Sequence, residues 1–253
     1  TAGSVKIDGS NLGSALAGDT PLLKLSANTT SGFSIGTYTG DGATATIAHG
    51  LSQGPELVMV KAHGGASAWN WAVGATPMDN WTDYMVLDGT AAAVDNVAFW
   101  NDAPPSSSVI TIGSNSNVNY SGSPYVFYAF HSVEGYSKVG SYVGNGNADG
   151  TFIYTGFKPA YIMIKDITAA RNWAFTDSAR SYANVANHTL AANLNSAESS
   201  FGGGESVFGA SNMLDLLSNG FKIRETGSWA NTSGDTYIFL AFAESPFKYS
   251  NAR

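Results

Sequence analysis

The sequence contains no cysteine, which removes disulfides, thiolate nucleophiles and zinc-thiolate sites at once and leaves packing and assembly to stabilise the chain. Charge is also scarce: 12% of residues are charged, about half the usual share, and the 12 basic residues are outnumbered by 19 acidic ones. The net charge of −7 denies the protein the basic field that collects nucleic acids or anionic membranes, so neither partner is expected. No apolar run approaches the roughly 20 residues that a membrane-crossing helix needs, and the opening TAGSVKIDGS lacks the charged-then-apolar pattern of a secretory leader. A soluble chain is expected.

In place of charge the sequence has Ser, Thr, Asn and 29 Gly among 43% hydrophobic residues, a composition suited to many short strands joined by tight turns. The apolar runs are short and rich in β-branched and aromatic residues: Leu57 to Val60, Val109 to Ile112, Tyr125 to Phe130, Tyr161 to Ile164 and Tyr237 to Phe242. Turn signals stand between them, as in GDG at Gly40, SGS at Ser121, NADG at Asn147 and TSGD at Thr232. Helix is expected only over Leu190 to Ser199 and Ser211 to Leu217.

The chain also repeats itself. GTYTGDG from Gly36 returns as GSYVGNG from Gly140, an offset of 104 residues. GLSQGPELVMVK from Gly50 parallels GFKPAYIMIK from Gly156, Asn70-Trp71 parallels Asn172-Trp173, and VITIGSNSNVNYSGSPYVFYAF from Val109 parallels FKIRETGSWANTSGDTYIFLAF from Phe221. Four blocks in one order imply internal duplication. The expected fold is all-β, with two tandem β-sandwich units of jelly-roll character at residues 31–138 and 139–253, preceded by a connecting arm at 1–30.

Recognised catalytic constellations are missing: there is no GxSxG, HExxH, GxxxxGK[ST] or strand-borne Rossmann fingerprint. The duplicated Gly-rich segments carry no phosphate-gripping Lys and read as turns. His49, His63, His131 and His188 show no ligand spacing, so neither a metal nor a cofactor is expected. GNGNADG from Gly144 offers oxygen ligands for calcium, but a turn is the preferred reading because EF-hand spacing is absent. Asp79, Asp83, Asp95 and Asp102 cluster in the first unit and would serve a hydrolase only as a pair across a cleft. Asn28, Asn80, Asn119, Asn187 and Asn231 begin N-x-[ST] triplets, which composition alone explains.

The aromatic residues, six Trp, twelve Tyr and thirteen Phe, carry the one binding hypothesis. Trp81 in DNWTDY and Trp100 in FWNDAPP have polar neighbours, so Trp81, Tyr84, Trp100, Asn101 and Asp102 form a candidate sugar platform, with core or unit interface as the competing reading for the two Trp. Trp71 and Trp173, duplicated beside Asn, are expected in the cores.

The segments GSYVGNGNADGTFIYTGFKPAYIMIK, NWAFTDSAR, LNSAESS, LSNGFKI and TYIFLAFAESPFKY resemble a repeat in structural proteins of tailed bacteriophages. The resemblance covers most of residues 33 to 253 and is weaker in the first unit, where HSVEGYSK replaces AESPFKYS and LNSAESS has no counterpart. It implies a non-enzymatic component of the virion exterior, on tail or capsid surface, and supplies no site residue. Two roles are expected from it: a tail-fibre or surface module that attaches to a host receptor or glycan, and a decoration protein that docks on other virion proteins through residues 1–30 or a sandwich face. A polysaccharide depolymerase is a distant third. The resemblance also implies a homo-oligomer, a trimer, although the chain has no heptad repeat to drive one.

Overall fold

The computed structural model describes residues 5–12, 16–64, 69–181, 183–196, 213–227 and 229–246. The chain is all-β, as the short apolar runs predict, and divides into two compact units. The first comprises residues up to 132 without 88–92; the second comprises 88–92 and everything from Val133 onward. The division precedes Lys138 because Ser137–Val143 is already the first strand of the second unit, in register with Thr236–Ala243 from the Ser137 and Phe242 pair onward.

Each unit is a sandwich with a core of its own. In the first, the large sheet runs Phe33–Thr39, Pro124–Phe130, Leu57–Ala62, Ala72–Ala75, Asp83–Val86 and Val94–Asp95. Against it lies a ribbon of Ala45–Ala48 and Val109–Ile112, and Ile47, Ile110 and Ile112 from the ribbon join Tyr38, Val58, Val60, Tyr125 and Phe127 from the sheet in one buried cluster. In the second unit the large sheet runs Ser137–Val143, Thr236–Ala243, Pro159–Asp166, Ala174–Asp177 and Thr189–Leu190. Opposite it stand Phe152–Tyr154, Gly220–Ile223 and Leu214–Leu217, and the shared cluster is built from Ile153, Phe221 and Ile223 against Tyr142, Ile162, Ile164 and Tyr237.

The winding is the same in both. The first strand pairs with the last, the last with the third, and the second with the penultimate, which is jelly-roll winding. Strands four and five then stay beside strand three as antiparallel hairpins instead of crossing to the other sheet. The sixth strand is where the copies part: Val94–Asp95 extends the large sheet of the first unit, whereas Leu214–Leu217 joins the small sheet of the second.

Buried detail repeats residue by residue. Gly36 sits opposite Phe127 and Gly140 opposite Phe239, each ring lying over the glycine so that a Cβ at Gly140 would stand 2.8 Å from it. Tyr38 stacks on Tyr125 at 5.2 Å and Tyr142 on Tyr237 at 5.1 Å, both pairs 13° from parallel. Tyr38 OH donates to Val118 O and Tyr142 OH to Ala230 O. Burial pushes both of these phenols well above the ordinary tyrosine range.

Two expectations need correction. The arm is sheet in part: Leu22–Asn28 pairs with Phe33–Thr39, and Val5–Ile7 pairs in parallel with Leu22–Asn28. A bulge between Leu22 and Lys24 breaks its alternation, leaving only Leu25 and Ala27 on the buried phase. The two expected helices do not form among the described residues: Thr189–Leu190 and Leu214–Leu217 are strands, and 197–199 and 211–212 lie outside the described residues. Leu214–Leu217 turns through Ser218 and Asn219 straight into Gly220–Ile223, and this two-residue hairpin claims a Leu-rich run too short to nucleate a helix.

Candidate functional site

Of the sugar-platform residues, Trp81 and Trp100 come together, but in the core. Trp81 is 1% exposed and Trp100 0%, their rings set edge to face at 5.5 Å and 90°. Neither ring can stack on a sugar. The backbone explains the misleading polar neighbours: Asp79, Asn80 and Trp81 have φ of 43°, 52° and 77°, and Asn101 and Asp102 have φ of 56° and 50°. These left-handed turns keep Asp79, Asn80, Asn101 and Asp102 in solvent while swinging the indoles inward. Both rings rest on Gly74, where a Cβ would stand 2.5 Å from Trp100 Cε2 and 2.6 Å from Trp81 Cζ3. Trp81 Nε1 donates to Thr76 Oγ1 at 3.1 Å. Tyr84, half-buried, stacks on Phe99 at 3.5 Å, and Asn96 caps the short helix Val97–Trp100 by accepting from Ala98 N at 3.0 Å. The duplicated Trp divide: Trp173 is buried, whereas Trp71 is half-buried against Tyr128 at 6.0 Å.

The second group of sequence candidates is also structural. Asn119 Oδ1 accepts from Asp41 N at 2.9 Å while its amide donates to Asp41 Oδ1 and Ala43 O. Asn231 does the same for the other copy, accepting from Asn145 N at 2.9 Å and donating to Asn147 O at 2.8 Å and Glu225 O at 2.7 Å. Both Asn are buried, so each holds a Gly-rich turn from within. In GNGNADG, Asn145 Oδ1 accepts from Asn147 N at 3.0 Å, Asn147 Oδ1 accepts from Asp149 N at 2.8 Å, and Asp149 pairs with Lys222 at 2.5 Å. Two of the oxygens offered for calcium, Asn145 Oδ1 and Asn147 Oδ1, are engaged in the turn, and Asp149 Oδ1 is held by the ion pair.

The feature that sequence reasoning passed over is the outer strand Phe152–Tyr154. Ile153 enters the core, and Phe152 and Tyr154 stand 43% and 66% exposed beside it. The signal was the alternation Phe-Ile-Tyr at positions that hold Thr46, Ile47 and Ala48 in the first unit.

A family model described as a domain of unknown function, DUF7483, matches residues 12–246. The chain belongs to this family. No curated protein and no solved structure matches it. The match spans both sandwiches, so DUF7483 takes the tandem pair as one domain.

Burial shifts several titratable groups of this DUF7483 chain. His49 is buried, accepts from Leu51 N through Nδ1 at 3.1 Å and meets Ser106 O at 3.2 Å through Nε2; burial lowers its pKa. Asp83 lies directly across from Asp95, and desolvation raises its pKa, with Asp79 and Asp95 adding to the rise. Among the described residues no group of three or more His, Asp or Glu is placed to hold a metal ion, and no helix is long and apolar enough to cross a membrane. Lys165 is fully buried, donating to Asp166 O at 2.6 Å and Thr90 O at 3.2 Å, and desolvation pulls its pKa down to about 8.

Proposed function

We propose that the chain is a non-enzymatic structural module of a tailed-bacteriophage virion, exterior and tail-fibre-like or capsid-associated, working by contact with other proteins. The likeness to phage structural repeats supports the setting. One observation carries the mode of action: the residues that recur in both copies, Gly36 and Gly140, Tyr38 and Tyr142, Asn119 and Asn231, are spent on internal packing and turn geometry. Duplication kept a scaffold.

Attachment to a host glycan loses its platform with Trp81 and Trp100 in the core, which moves the balance toward decoration or docking. Gold-labelled antibodies raised against the chain should decorate purified particles of the phage that encodes it. Recovery of the chain only from the free protein of a lysate, with bare particles, would sink the proposal. New reducing ends after incubation with host surface polysaccharide would replace it with a depolymerase.

A further inference from the structure

Internal duplication allows one edge to be compared with its own copy. In the first unit the ribbon strand Ala45–Ala48 has Val109–Ile112 on one side and the segment 18–20 on the other. Thr20 N donates to Thr46 O at 3.0 Å, Asp19 N donates to Thr46 Oγ1 at 3.0 Å, and that hydroxyl donates to Asp19 Oδ2 at 2.7 Å. Gly18 lies against the same edge, where a Cβ would stand 3.0 Å from Thr46 O and 3.1 Å from Ala48 N. A bent segment of the arm covers this edge, with one main-chain hydrogen bond from Thr20 N.

In the second unit Phe152 and Tyr154 take the positions of Thr46 and Ala48, since Ile47 and Ile153 are the buried residues at the middle of the two strands, opposite the buried Ile110 and Phe221. Ile223 N donates to Thr151 O at 3.1 Å, which makes residues 151 and 153 the ones bonded to the neighbouring strand. By the alternation of an antiparallel ladder, the N–H and C=O groups of Phe152 and Tyr154 therefore point away from the sheet. Their rings are exposed, as is Val143, whose carbonyl accepts from Thr151 Oγ1 at 2.8 Å. Proteins ordinarily blunt such an edge with lysine, proline or a covering segment. This strand carries neither residue, and among the described residues no arm lies on it in the manner of 18–20.

We propose that the Phe152–Tyr154 edge is a main-chain docking site that takes an arm segment from a partner polypeptide, as the first unit takes its own segment 18–20. The partner's main chain would donate to Phe152 O and accept from Tyr154 N. Like Gly18, the residue closest to the strand must be small, while apolar side chains one step along lie over the two rings. Lys222, opposite Phe152 and bonded to Asp149, borders the site.

The chain's own arm sequence, a peptide of residues 16–25, is the probe. Titrated into the full chain, it should slow hydrogen exchange at the Tyr154 amide by at least tenfold. The double variant Phe152→Lys with Tyr154→Lys should weaken binding by at least tenfold at unchanged melting temperature, because both side chains lie outside the core. If that variant fails to fold, a peptide N-methylated at Thr20 tests the same bond on the unaltered chain and should not bind. Absence of saturable binding, or binding indifferent to both changes, overturns the proposal. Concentration-dependent dimers abolished by the lysines, without peptide binding, would overturn it too, by showing that the edge pairs with a second copy of itself.

Discussion

At the scale of single residues, what a side chain contributes depends on where its backbone points it. Trp81 and Trp100 are flanked by Asp and Asn, yet left-handed backbone at Trp81 and just beyond Trp100 turns both rings onto Gly74. Trp100→Ala should therefore cost on the order of 3–5 kcal/mol in a denaturant titration, the range for truncating a core Trp, where a surface platform would lose almost nothing. Gly74→Ala should destabilise as well, by roughly 1–3 kcal/mol, since the added methyl meets two indoles that have no room to withdraw. Lys165 sets a pH dependence with a definite sign. Its folded pKa, about 8, lies below its ordinary 10.5, so between these values the unfolded chain binds the extra proton and stability rises with pH. Asp166 opposes that lowering and Arg171 reinforces it. Tyr161 and Tyr237, raised by burial from 10.0 to about 12, act in the opposite sense and erode stability above pH 10. Stability of the second unit should climb from pH 8 to about 10 and then fall, and Lys165→Met should abolish the climb while leaving the fall. A flat profile in the unaltered chain would mean that Lys165 titrates as an exposed lysine does.

At the scale of elements, the duplicated turns show why Asn rather than Asp holds them. Asn231 must accept from Asn145 N and also donate to two carbonyls, Asn147 O and Glu225 O, which a carboxylate cannot do. Asn231→Ala should cost roughly 1–3 kcal/mol by stranding those groups, and Asn231→Asp should be no milder despite its equal size. Asn119→Asp should be worse again, because the new carboxylate would face Asp41 Oδ1. Thermal melts of the four variants, with Asn119→Ala as the reference, rank them. The strands were legible in sequence for a related reason: Leu57 to Val60, Tyr125 to Phe130 and Tyr237 to Phe242 all fall inside observed strands, because a ladder buried on at least one face demands β-branched and aromatic runs. The strand Leu22–Asn28 was illegible because a bulge shifts its phase, and Leu214–Leu217 because four residues give too short a window to separate a period of 2 from one of 3.6. The candidate site misled for a different reason: polar neighbours report the exposure of a turn's backbone, whereas the left-handed backbone there turns the adjacent ring into the core. At Phe152–Tyr154 the signal was present, as alternating rings where the first copy has Thr46 and Ala48.

At the scale of the whole molecule, the two hydrophobic clusters share no residue, and cooperative stability extends as far as shared packing does. Damage to one core should therefore stay in its own unit. Phe221 packs edge-on against both Tyr142 and Phe239, so Phe221→Ala should cost about 3–5 kcal/mol. Native-state hydrogen exchange should then accelerate in Pro159–Asp166 and Thr236–Ala243 while Pro124–Phe130 and Leu57–Ala62 keep their protection. Trp100→Ala should give the reverse pattern. Asp88–Ala92 is the discriminating segment. By chain order it lies within the first unit, but it clusters with the second, and the buried Lys165 ammonium donates to Thr90 O at 3.2 Å. Its amides should follow Phe221→Ala and ignore Trp100→Ala. If they followed Trp100→Ala instead, the bond to Lys165 would be incidental and the units would be bounded by sequence alone; if every amide accelerated in both variants, the tandem pair would unfold as a single cooperative body despite its two cores.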